Sequence, residues 1–79
     1  MLEVERDHRP IDIKIDVKKL RTELGMSQPQ FAEAFGFGLR TVRNWEQGHR
    51  YPMSTARVLL YLVSCAPRQA MRHLAEMRK

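Results

Sequence analysis

Seventy-nine residues with fourteen Lys and Arg, nine Asp and Glu and one cysteine describe a single small domain that no internal disulfide can hold together. The net charge of +5 is uneven: residues 1–16 carry three basic and five acidic side chains, net −2, and residues 17–79 carry eleven and four, net +7. Zinc chemistry, secretion and membrane insertion are all disfavoured. His8, His49 and His73 lie far apart without cysteine neighbours, Met1–Arg9 is charged rather than apolar, and the run around Val58–Val63 falls far short of the roughly 20 residues a membrane span needs.

Residues 1–10 read as a charged arm ending at Pro10. Ile11, Ile13, Ile15 and Val17 then alternate with Asp12, Lys14 and Asp16. That alternation reads as a short strand needing an external partner, or as an extended lead-in whose isoleucines cover the first helix. The expected division is an arm over 1–15 and a folded domain over 16–79.

Asp16 is a candidate cap for a first helix running to about Leu24, with Val17, Leu20 and Leu24 on one face and Gly25 as its stop. Ser27 and Gln30 have capping-box spacing, and Pro29 falls in the first turn of a second helix, where its missing N–H costs little. Phe31, Ala32 and Phe35 should face inward, and Gly36-Phe37-Gly38 breaks the helix. A third helix is expected from Leu39 to Gln47, closed by Gly48. A fourth begins near Ser54 and continues to about Ser64. It is apolar around most of its circumference, so burial on several sides is expected, with Cys65 as a buried structural thiol. Pro67 opens a fifth helix to about Arg78, with Ala70, Met71, Leu74 and Ala75 on one stripe. The expected fold is therefore all-α: five helices behind a short extended arm.

Two short helices around a glycine-containing turn carry the helix-turn-helix signature, in which the second helix enters the major groove of DNA. The third helix has the faces for that role. Val42 and Trp45 point one way, while Arg40, Arg43, Asn44 and Gln47 fall within about 100° on the opposite side. Arg grips guanine and Asn or Gln grips adenine in bidentate fashion. An ordinary solvated face explains the polarity of these four positions, but not the lack of any acid among them. Glu46, the acid on this helix, falls nearer the buried side. Gln28 at the start of the second helix, Gly38 before the third, and His49, Arg50 and Tyr51 after it are candidates for the DNA backbone.

The segments Leu24-Gly25-Met26-Ser27-Gln28, Phe31-Ala32, Phe35-Gly36, Arg40 to Gly48 and Pro52 resemble the phage-repressor (XRE-type) helix-turn-helix family. Within it, Arg40 to Gly48 is most similar to HigA-type antitoxins. The resemblance covers about Val17 to Leu74. It implies a compact lambda-repressor-like bundle that binds operators as a two-fold dimer. It implies that Leu39, Arg40, Thr41 and Asn44 face bases, that Gln28 contacts a phosphate and a base edge, and that Arg43 and Gln47 are shared between bases and backbone. Leu39 departs from the polar residue common at its position, and Gly38 from the usual capping Ser or Thr. The resemblance also implies an ion pair between Arg21 and Glu46.

The expected function is sequence-specific repression of transcription by a homodimer on a palindromic operator. Surplus apolar surface on the last two helices, Leu60, Val63, Met71 and Leu74, would form the dimer interface; alternatively, one chain's core absorbs these residues. The HigA likeness and the acidic arm add an antitoxin role against a small basic ribonuclease toxin. The other reading is a stand-alone or phage-type regulator. No cofactor, metal or catalytic constellation is expected, and the setting is the bacterial cytoplasm, on the nucleoid.

Overall fold

The computed structural model describes residues 14–78. Five helices follow one another: α1 (Val17–Glu23), α2 (Gln28–Phe35), α3 (Leu39–Gln47), α4 (Ser54–Cys65) and α5 (Pro67–Met77). Among the described residues there is no strand. The alternation over residues 11–13 lies outside them, but Ile15, just before α1, packs against the core.

Local chemistry sets the helix boundaries. Asp16 caps α1 by accepting the Lys19 N–H at 3.0 Å. The Ser27 hydroxyl accepts the Gln30 N–H at 3.2 Å, and the Gln30 amide oxygen accepts the Ser27 N–H at 2.9 Å, so two otherwise unpaired donors of α2 are met reciprocally. Gly36 ends α2 with φ of 78° and Gly48 ends α3 with φ of 77°. Both are left-handed conformations that cost a residue with a Cβ. The Phe37 N–H then reaches the Ala32 carbonyl at 2.8 Å, closing the end of α2. Ala66 alone separates α4 from α5, and Pro67 starts the last helix.

α2 packs between α3 and α5, α5 lies against α4, and α1 lies against α3. The core is Val17, Leu20, Phe31, Ala32, Phe35, Val42, Leu60 and Val63. Phe31 is its centre: its ring meets Phe35 edge-on at 5.1 Å and stacks with Phe37 at 6.1 Å, and Phe37 meets Trp45 edge-on at 5.0 Å. This aromatic series runs from α2 through the turn into α3, and so fixes the angle between the two helices. The Arg78 guanidinium donates to the Glu33 carbonyl and ties the end of α5 back to α2.

Three expectations about the C-terminal half need correction. α4 is not sealed all round, because Leu62 is 54% exposed and Tyr61 46%. Cys65 is exposed rather than a buried thiol, since at about 100° per residue it falls on the side of α4 opposite the buried Leu60 and Val63. Leu60 and Val63 are both 0% exposed: the chain's own core consumes them, and they have no surface to offer a second copy. Met71 and Leu74 are half-buried against that core.

Candidate nucleic-acid interface

α3 turns one face to the core and the other to solvent. Val42 is fully buried, and Trp45 is half-buried beneath the Phe37 ring. On the opposite side Arg40, Thr41, Arg43 and Gln47 are exposed, and Leu39 and Asn44 are half-buried. The exposed positions of this helix carry two cations and no anion.

That polarity depends on where Glu46 goes. Its side chain is 5% exposed, and the Arg21 side chain facing it from α1 is 14% exposed. The two form a fork: Arg21 Nε donates to Glu46 Oε2 at 2.7 Å and Arg21 Nη2 to Glu46 Oε1 at 2.9 Å. Arg21 Nη1 donates to the Met26 carbonyl at 2.9 Å, so one guanidinium ties α1, the α1–α2 turn and α3 together. Gln28 Nε2 completes the set by donating to Glu46 Oε1 at 3.1 Å. The hydrogen bond from Arg21 is the largest influence holding the Glu46 carboxyl below the usual carboxylate range. Burial opposes it, and the bond from Gln28 and the charges of Arg21 and Lys18 assist. The same bond raises the Arg21 pKa. The only acid of α3 is thus turned inward, paired and charged, where it cannot repel a polyanion at the outer face.

The loop after α3 contributes a second wall. His49, Arg50 and Tyr51 are exposed, Tyr51 by 86%, while Pro52 is buried and anchors the segment. Arg57 Nη1 donates to the Pro52 carbonyl at 2.7 Å and holds the anchor to α4. A cleft of about 380 Å³ brings Arg50 and Tyr51 beside Gly38, Thr41 and Trp45. The residues expected at DNA therefore fall into three groups: the outer face of α3, the cleft joining its N-terminus to the following loop, and Gln28 beside the ion pair.

Two contacts had little or no signal in the sequence. The Gln28–Glu46 bond joins residues 18 apart on different helices. The stacking of Phe37 was hidden in what read as a simple break; its signal was an aromatic residue between two glycines.

Gly38 precedes α3 without a side-chain cap, with φ of −72° and ψ of 145°. A Cβ there would meet only Thr41 Oγ1 at 3.5 Å, an ordinary contact. Gly38→Ser supplies the missing cap and restricts the unfolded chain, so urea unfolding should show a gain of about 0.5–1 kcal/mol. An unchanged or lower midpoint would mean that this helix start is satisfied in some other way.

A helix-turn-helix family model matches residues 17–56, from α1 to the first turn of α4. The chain is also 36% identical over 62 residues to Antitoxin HigA-2 of Vibrio cholerae serotype O1. That alignment covers 78% of this chain and 59% of the relative, so the chain spans less than two thirds of the relative's length. Among the described residues, no helix is long and apolar enough to cross a membrane.

Proposed function

The chain belongs to the helix-turn-helix family of DNA-binding regulators, and from that premise we propose that it represses transcription as a homodimer with one α3 in each operator half-site. The observation that carries this reading is the outer face of α3, rich in Arg, Asn and Gln, exposed and cleared of negative charge by the inward Arg21–Glu46 pair. Arg40 and Asn44, one turn apart, read base edges, with Leu39 and Thr41 beside them. Gln28, Gly38, Arg43, Gln47, His49 and Arg50 hold the flanking phosphates and fix the register. Two half-sites would have centres about 34 Å, or about 10 base pairs, apart. The second copy is read as meeting the first at α4 and α5, where the exposed Leu62 and the half-buried Leu74 line an apolar groove of about 330 Å³. Sedimentation at micromolar concentration tests that assembly, and a monomer at every concentration contradicts it.

Arg40→Ala and Asn44→Ala test the recognition face. Each should weaken binding to a duplex recovered by selection by about 5- to 150-fold, equivalent to about 1–3 kcal/mol, and leave the melting temperature unchanged. Binding equal to wild type in both variants defeats the assignment. Affinity should also fall steeply between 50 and 200 mM salt, as it does for proteins that neutralise about 6–10 phosphates.

The likeness to a protein named an antitoxin favours a second job within the same reading. The chain would neutralise a small basic toxin, a ribonuclease, and repress the operon that encodes both. The acidic residues 1–15 would be the toxin-contacting arm and 16–79 the DNA-binding domain. Co-expression with the product of the adjacent reading frame tests this: co-purification that is lost when residues 1–15 are removed supports it. Failure to co-purify leaves a stand-alone or phage-type regulator, acting in the bacterial cytoplasm on the nucleoid in either case.

A further inference from the structure

The outermost partner of the part-buried ion pair is Gln28, the first residue of α2. An ionised carboxylate only accepts hydrogen bonds, so its contact with Glu46 settles the carboxamide's orientation: nitrogen toward Glu46, oxygen away. One of two N–H groups is spent at 3.1 Å on Glu46 Oε1. The second N–H and the amide oxygen remain for a ligand.

We propose that Glu46 is a positioning residue for the DNA-backbone contact of Gln28, holding the carboxamide in one orientation so that its free N–H is presented to a phosphate oxygen. The inference rests on the DNA-binding reading above. Glu46 is itself held from behind by the Arg21 fork, with Nε and Nη2 at 2.7 and 2.9 Å. The chain of contacts therefore runs from α1 through α3 to the start of α2. A long, unbranched amide on a surface loses rotamer freedom whenever it is fixed by a ligand. Fixing it beforehand inside the protein removes that loss from binding. The arrangement makes the acid of α3, which never faces DNA, a determinant of affinity for it.

The test compares wild type, Gln28→Ala and Glu46→Ala on a selected duplex in which single phosphates are replaced in turn by neutral methylphosphonates. In wild type, replacing one phosphate per half-site should cost about tenfold, the scale of one hydrogen bond to a charged acceptor. That position should fall silent in Gln28→Ala and nearly silent in Glu46→Ala, while penalties at the other phosphates persist. Full sensitivity at that position in Glu46→Ala overturns the proposal, as does wild-type affinity in Gln28→Ala. Failure of wild type to bind any duplex defeats the DNA-binding reading itself and is thereby distinguished. Because Glu46→Ala weakens the fold, side-chain relaxation of the 15N-labelled wild type gives a second readout. The Gln28 carboxamide should be clearly more ordered than the exposed Gln47 and Gln69 before DNA is added, and equal mobility overturns the proposal.

Discussion

Arg21→Met is expected to lower the stability of the domain by about 1.5–3 kcal/mol, the scale of hydrogen bonds to a charged group in a part-buried pair. Methionine keeps much of the packing volume but withdraws all three donors that meet Glu46 and the Met26 carbonyl. The Glu46 carboxylate, 5% exposed, is left with the single N–H of Gln28. The pH dependence should also flatten. In wild type the Glu46 pKa is lowered by folding, so its contribution is complete above the ordinary carboxylate range and is lost as pH falls through the lowered value. Without Arg21 the largest lowering influence is gone while burial still opposes ionisation, so the depression of the Glu46 pKa should shrink. The variant should therefore lose less stability than wild type as pH falls through the ordinary carboxylate range. Urea midpoints from about pH 7 down to about pH 3, across the ordinary carboxylate range, read both effects. A loss under 1 kcal/mol, or a pH profile parallel to wild type, would show that the pair carries little of the fold.

Phe31→Ala should cost more, about 3–5 kcal/mol, and for a different reason. Its ring is 0% exposed and lies between Phe35 and Phe37. Truncation opens a cavity and removes both aromatic contacts. It also frees Phe37 from one side, so the turn between α2 and α3 loses the packing that sets their angle. In a domain of this size that loss should lower the melting temperature by circular dichroism by about 12–40 °C. DNA affinity should fall with the folded fraction. Retention of a cooperative melt near that of wild type would contradict the central place given to this ring.

The elements that local chemistry specifies are legible in the amino-acid sequence. Asp16, the Ser27–Gln30 reciprocal cap, and the left-handed stops at Gly36 and Gly48 act within three or four residues. The sorting of α3 into an apolar and a polar face is equally local. α4 shows the limit. A helix apolar on nearly every side has no contrast to set its rotation, so its residues alone do not say that Leu60 and Val63 turn inward while Leu62 and Cys65 turn out. The dimer interface expected at Leu60 and Val63 failed on that rotation. Contacts between helices are hidden from local pattern in the same way. The approach of Arg21 and Glu46 was implied by family likeness alone, and the insertion of Gln28 beside them had no signal.

The binding surface itself can be mapped by titrating 15N-labelled protein with a selected operator duplex and following backbone and side-chain amide shifts. The largest changes should fall on Arg40, Thr41, Arg43, Asn44 and Gln47, with smaller ones at Gln28 and across His49–Tyr51, while the buried Val42 stays near its free position. Shifts confined to α4 and α5, with the outer face of α3 unmoved at saturation, would contradict a DNA-reading role for that helix.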